Sequence, residues 1–406
     1  MGDFSQNGIV STLHDFKTKS TDEIEKELLE FSKERKMELI LPCLYSELEG
    51  EALPKIVSEI SKTKYLNHII IGLDKANKNQ AKDAWKFFKK LKTDFTILWN
   101  DGPRLQKLDE ELKEKSLAPN QPGKGRNVWY CLGMSIARDT ARSVALHDCD
   151  IKTYDRRMLA KLFYPVVNPV FNFEFCKGFY PRIANEKMNG RVARLLVAPL
   201  LIALEKTIGS SEYLQFMKSF KYPLSGEFSF RRNVLSELRI SSDWGIEVGV
   251  LSEMQRNFSP NNICQVDLAD TYDHKHQDLS LDDETKGLSK MSIDIIKTLI
   301  KKLATQGNSF SRETFRSLKA TYYRCALDMI DIYRSDATMN GLKFDSHTEE
   351  KAVELFAINI MKAGDDFYVN PMDTPFIPTW SRVKSAIPDF LTKLNKAVSE
   401  DNKDNS

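Results

Sequence analysis

Two aspartates one residue apart, in His147-Asp148-Cys149-Asp150, close a short apolar run. Carboxylates are hard oxygen ligands, and a magnesium or manganese ion held by one or two of them with substrate phosphates would neutralise a diphosphate leaving group. Taken alone, the tripeptide favours a plainer role as a cap for the following helix. A second group is Pro122-Gly123-Lys124-Gly125-Arg126-Asn127, where glycines let backbone amides approach a ligand and Lys124 supplies a cation. The Gly-Lys-Ser/Thr order of a Walker loop is absent, and the segment reads equally as a phosphate contact or as a turn with a solvated lysine. The third group, Tyr272-Asp273-His274-Lys275-His276-Gln277, is rich in possible metal ligands. A neutral imidazole accepts manganese or zinc, although a histidine in a loop is more often a surface residue.

The surrounding pattern supplies elements that could carry these groups. Apolar runs at 38–42, 68–72, 94–99 and 143–148 alternate with helical patterns at 50–63, 80–90 and 128–140, and a polar loop holds Pro103, Pro119 and Pro122. Such alternation predicts a parallel sheet covered on both faces, with ligands at the carboxyl ends of its strands. That rule singles out 42–47, 72–74, 123–127 and 148–150. Further strands are expected at 170–176 and 227–231. An amphipathic helix over 20–36 precedes the sheet, and from Leu288 onward apolar residues recur at helical spacing. The expected division is an N-terminal helical extension (1–36), a catalytic α/β domain (37–285) with a nucleotide half (37–150) and an acceptor half (151–285), a helical C-terminal region (286–398), and a disordered polar tail (399–406).

Bulk properties narrow the partners. With 59 Lys and Arg against 57 Asp and Glu, the net charge of +2 gives nucleic acid binding no support. The six cysteines show no C-x-x-C spacing, which argues against a zinc cluster or disulfide framework and for a reducing, cytoplasmic location. The first twenty residues lack the apolar core of a signal peptide, and the longest apolar run, Leu195 to Leu204, contains Pro199 and is about half the roughly 20 residues a spanning helix needs. No membrane partner is expected.

The ordered series Leu41-Pro42-Cys43-Leu44, Pro122-Gly123-Lys124-Gly125, Asp148-x-Asp150, Gly190-Arg191-Val192, Pro199-Leu200-Leu201, Pro223-Leu224-Ser225-Gly226-Glu227, Trp244-Gly245-Ile246-Glu247-Val248-Gly249 and Asp273-His274-Lys275-His276 resembles the glucosyl-3-phosphoglycerate synthases over roughly residues 36–288. The resemblance implies a GT-A glycosyltransferase fold, a Rossmann-like nucleotide-binding half plus an acceptor half. It implies a retaining transferase that moves glucose from UDP-glucose to the 2-hydroxyl of 3-phosphoglycerate with magnesium or manganese, and a homodimer. Pro42, Leu44, Glu47 and Asp74 would line the uridine pocket, with Lys124 and Glu227 also on the donor. Asp150, Asp148 and His274 would hold the metal. Glu247 would hold hydroxyls of the transferred sugar, and Gly190, Arg191 and His276 would take the acceptor, the guanidinium fork suiting carboxylate or phosphate.

Each residue also has a plainer role. Glu247 could be an acidic residue near a helix start, Arg191 a surface cation, Trp244 a core residue and Gly226-Glu227 a turn. The family pattern has a threonine two positions after the acceptor arginine and an Arg-Arg-Pro segment before it; here stand Ala193 and Phe179-Tyr180-Pro181-Arg182, and the loop before His274 is longer by a residue. These departures fall on the acceptor end. A related synthase using GDP-mannose or free glycerate, and a nucleotide-sugar sensor without turnover, are the alternatives.

Overall fold

The computed structural model of the chain describes residues 6, 8–119, 121–274, 287–371 and 376–405. Its strands are β1 (Ser11–Leu13), β2 (Met37–Leu44), β3 (Leu66–Asp74), β4 (Phe95–Trp99), β5 (Ser143–Leu146), β6 (Phe175–Phe179), β7 (Ile183–Ala184), β8 (Lys187–Met188), β9 (Phe228–Arg231) and β10 (Ile263–Asp267). The helices are α1 (Thr21–Phe31), α2 (Ala52–Ile60), α3 (Lys78–Phe88), α4 (Pro103–Glu114), α5 (Lys124–Arg138), α6 (Arg156–Val167), α7 (Ala198–Ile208), α8 (Glu212–Lys218), α9 (Ile246–Asn257), α10 (Gly287–Thr305), α11 (Arg312–Met339), α12 (Ser346–Val369), α13 (Trp380–Ala386) and α14 (Phe390–Asn405). A π-helical turn, Val192–Val197, leads into α7.

Eight strands form one sheet in the order β1-β10-β6-β9-β5-β2-β3-β4; β7 and β8 form a separate hairpin. All pairings in the large sheet are parallel except those of β9, which runs antiparallel to both β5 and β6. Because side chains alternate along a strand, Leu39, Leu41, Ile69, Ile71 and Ile97 face one layer, built with α1, α2, α3 and α6. Ile40, Ile70, Leu98, Val144 and Leu146 face the other, which holds α5. Burial on both faces explains the unbroken apolar runs of β2 and β3. The helices from α10 onward share that second core; Trp380 of α13, for example, stacks on Trp129 of α5 at 4.0 Å.

Several sequence expectations are corrected. The strand expected at 170–176 is β6, displaced toward the C-terminus: Val170 is 86% exposed, and the strand includes Lys177, a buried cation that interrupts the apolar pattern. The segment read as a polar loop contains α4, started by Pro103 and anchored by Leu105, Leu108 and Leu112. The helix expected at 128 begins at Lys124. The N-terminal extension is more than a helix, since β1 pairs with β10 at the sheet's edge.

The tail expected to be disordered from 399 is helical through Asn405. It has no apolar side chain, but its polar groups are spent on the protein. Arg104 pairs with Glu400, Asp401 and Asp404. Asn402 accepts from Trp85 Nε1 and from the backbone N–H of Ile97, both at 3.0 Å, and donates to Ile97 O at 2.8 Å. One side-chain amide thus satisfies the outward N–H and C=O of Ile97 in the middle of the edge strand β4.

Candidate functional site

Asp148 and Asp150 follow β5, and neither caps α6, whose first turn is capped instead by Asp155 Oδ1 accepting from Arg157 N. Both face the carboxyl edge of the sheet. Lys124, at the start of α5, reaches Asp148; there Gly123 adopts φ +143°, and Gly125 lies so close to Ser241 that a Cβ would stand 2.0 Å from its carbonyl oxygen. Lys124 Nζ is 2.6 Å from Asp148 Oδ1 and 3.1 Å from Glu247 Oε1. It bridges two carboxylates from distant parts of the chain. Burial alone would lower the lysine's pKa, but the charges of Asp148 and Glu247 outweigh it and hold the ammonium well above the usual lysine range. Gly226 completes the enclosure of Asp148, since a Cβ there would lie 2.2 Å from Oδ2.

Asp150 Oδ2 stands 3.4 Å from His274 Nδ1. Burial raises the Asp150 pKa, and His274 together with Lys124 pulls it below the usual carboxylate range, so the group is an anion at neutral pH. An aspartate oxygen and an imidazole nitrogen side by side fit a magnesium- or manganese-sized ion whose remaining positions are filled by phosphate oxygens and water. Asp148, expected in the metal shell, is engaged by Lys124 instead. Among the described residues no three His, Cys, Asp or Glu side chains converge. His276 lies outside the described residues. The adjacent His147 is fully buried against Tyr154, and burial drives its pKa down to about 3.

The residues expected at the nucleotide gather at the ends of β2 and β3. Pro42 and Leu44 end β2, Glu47 lies in the turn that follows, and all three are half-buried. Asp74 ends β3 and accepts from Asn127 Nδ2 at 3.1 Å, an amide that also donates to Gly72 O at 2.8 Å. Burial pushes the Asp74 carboxyl up to about 6, with the Asn127 hydrogen bond offsetting part of the effect.

Glu227 lies beneath this surface. It is fully buried and accepts from Tyr180 at 2.6 Å, Tyr272 at 2.9 Å and Ser225 at 3.1 Å, so it braces the floor and presents no open oxygen to a donor sugar. Tyr180 and Tyr272 stack in parallel at 3.6 Å. Beside them Lys177, also fully buried, donates to Ser225 O at 2.6 Å, and burial lowers its pKa to about 8. Sequence reasoning singled out none of Lys177, Tyr180 or Tyr272 for a role; the one signal was a lysine inside an apolar strand.

The same rings connect the Asp150–His274 pair to the loop that carries Gly190 and Arg191. Tyr272 lies 5.5 Å from the His274 ring and Tyr180 lies 5.2 Å from Tyr222, against which Arg182 and Gly190 pack. Gly190 adopts φ +78°. Arg182 belongs to the segment that departs from the family pattern, yet its side chain lies against that loop. Arg191 is not a simple surface cation: its Nε donates to Glu349 on α12 at 2.7 Å. Trp244 is 38% exposed and not a core residue.

All six cysteines are buried and free, and among the described residues no helix is long and apolar enough to cross a membrane. No protein-family model matches the chain. It is 45% identical over 404 residues to the glucosyl-3-phosphoglycerate synthase of Persephonella marina, covering 100% of both chains. It is 37% identical over 406 residues to that of Methanococcoides burtonii, covering 99% of this chain and 98% of the relative. The fold is that of the Mycobacterium tuberculosis glucosyl-3-phosphoglycerate synthase solved with Mn2+, UDP-glucose and phosphoglyceric acid, with a TM-score of 0.53 and 22% identity over 72% of this chain and 87% of that one. With full-length likeness at such identity, and a GT-A sheet carrying the aspartates at its edge, the chain belongs to the glucosyl-3-phosphoglycerate synthase family.

Proposed function

We propose that the chain is a retaining glucosyltransferase that moves glucose from UDP-glucose to the 2-hydroxyl of 3-phosphoglycerate. The observation that carries this reading is the single lysine that joins Asp148 to Glu247 beside the Asp150–His274 pair. A sensor would have no use for such a set, whereas a departing diphosphate needs it.

Residues 37–150 hold the donor, with Pro42, Leu44, Glu47 and Asp74 around the nucleotide; 151–285 hold the acceptor, and 286–398 form the helical region behind it. Asp150 and His274 hold a magnesium or manganese ion, which when bound supplies Lewis-acid stabilisation of the leaving diphosphate. Lys124 adds a permanent positive charge at the same end and keeps Glu247 oriented. Glu247 accepts from hydroxyls of the transferred glucose. Arg191 pairs with the acceptor's anionic groups, with Gly190 giving close approach and His276 as a further contact. The acceptor hydroxyl then attacks the anomeric carbon from the face the diphosphate leaves and passes its proton to the departing phosphate oxygen. The C–O bond to phosphate breaks as the C–O bond to the acceptor forms. We place this enzyme in the cytoplasm as a homodimer.

Mass spectrometry of products from mixed nucleotide sugars, with 3-phosphoglycerate and glycerate as competing acceptors, tests the assignment. Glucosyl-3-phosphoglycerate is expected as the main product. A mannosyl product or glucosylglycerate would reassign donor or acceptor, and no product with single-turnover UDP release absent would leave a binding protein.

A further inference from the structure

The acceptor loop is gripped from the C-terminal helical region. Glu349, in the first turns of α12, is 4% exposed, and its carboxylate lies between two guanidiniums. Arg191 Nε donates to one oxygen at 2.7 Å and Arg194 Nη2 to the other at 2.9 Å. The two arginines differ. Arg194 is buried, donates also to Asn189 O and Met188 O, and lies over the Tyr333 ring, so it is a structural anchor. Arg191 is held through Nε, and its side chain stays 35% exposed.

Two guanidiniums against one carboxylate leave one positive charge in surplus, and the exposed fork carries it. A carboxylate this buried costs desolvation, which its two guanidinium partners offset. The segment is tied down elsewhere as well. Tyr322 of α11 donates to Leu195 O inside the π-helical turn at 2.6 Å, and Lys343, before α12, donates its backbone N–H to Glu186 O in the β7–β8 turn at 2.7 Å. Irregular helical turns of this kind recur at functional sites because they aim side chains.

Resting on the reading that Arg191 meets the acceptor's anionic groups, we propose that Glu349 is a positioning residue of the acceptor site, holding Arg191 by Nε so that its Nη edge faces the acceptor carboxylate or phosphate. The α11–α12 hairpin is then a wall of the active site. A free arginine would spread over many rotamers and lose that freedom on binding; Glu349 orders the side chain before the acceptor arrives.

Steady-state kinetics of the full chain with UDP-glucose and 3-phosphoglycerate test this. Glu349→Gln is expected to raise the acceptor KM about tenfold or more, the scale of a hydrogen bond between charged groups, with the UDP-glucose KM and the affinity for UDP little changed. Arg191→Ala raises the acceptor KM at least as far, and adding Glu349→Gln to it has no further effect, because the second residue acts through the first. Glu349→Asp, which keeps the charge but shortens the reach, falls between parent and Glu349→Gln. An unchanged or lowered acceptor KM in Glu349→Gln, or an effect fully additive with Arg191→Ala, overturns the inference and leaves glucosyl transfer standing. A parent chain that neither binds nor glucosylates phosphoglycerate removes both. If loss of UDP binding reveals that Glu349→Gln does not fold, Glu349→Asp takes its place: a raised acceptor KM supports the inference, and an unchanged one overturns it.

Discussion

Asp150 and Asp74 are carboxylates at neighbouring strand ends whose surroundings push them in opposite directions. Asp150 stays anionic because His274 and Lys124 outweigh its burial, and Asp150→Ala is expected to lower kcat about a thousandfold, as several kcal/mol of leaving-group stabilisation would require. Thermal unfolding should be nearly unmoved; metal-independent activity in the parent would refute the assignment. Asp74 is buried with an amide for a partner, so its folded pKa of about 6 lies above the unfolded 3.8. The folded state therefore binds the extra proton between those values, and stability falls as pH rises through that window, by ~3 kcal/mol in full. Asp74→Asn should raise the urea midpoint at pH 8 but hardly at pH 4, while increasing the KM for UDP-glucose. The Asp-x-Asp pair and His274 were singled out in sequence only through the family resemblance, since each motif alone favoured a plainer role, and the structure brings Asp150 and His274 within 3.4 Å. Glu349 was not: it stands 158 residues from Arg191, in a helix whose polar face gives no sign that one carboxylate is buried.

At the scale of elements, β2, β3 and β4 were readable because burial on both faces leaves unbroken apolar runs. Elements with few apolar residues among many polar ones were not. α4 hides three leucines among charged residues, and the last turns of α14 contain no apolar side chain at all, so composition gave no warning that Asp401 is buried and Asn402 seals β4. Asn402→Ala would leave the N–H and C=O of Ile97 and the Trp85 indole without partners. The expected loss is about 2–4 kcal/mol of unfolding free energy, summed over those groups, read from denaturant midpoints. Activity at low temperature should be retained, since the site lies at the strands' carboxyl ends.

Across the whole molecule, buried groups of opposite habit oppose each other in pH dependence. His68 is buried against Thr96, and burial lowers its folded pKa to about 3, below the unfolded 6.5. The unfolded state binds the extra proton between those values, so stability is lost as pH falls below 6.5, by about 1.4 kcal/mol per pH unit. Between pH 4 and 6 this slope runs against that of Asp74. His147, whose folded pKa burial also lowers to about 3, adds a second slope of the same sign as that of His68. Asp74→Asn should therefore steepen the loss of stability as pH falls from 6 to 4 in chemical denaturation, and His68→Gln should flatten it.

The amide that seals β4 is 305 residues away from the strand it covers. During refolding the sheet can assemble through β2, β3 and β4 well before so distant a segment docks, because closing long loops is slow. In that interval an unpaired row of backbone donors and acceptors is open to a second copy of the chain. Recovery of active enzyme from denaturant should therefore drop as the concentration of refolding protein increases, and a soluble synthetic peptide spanning α14 should restore it.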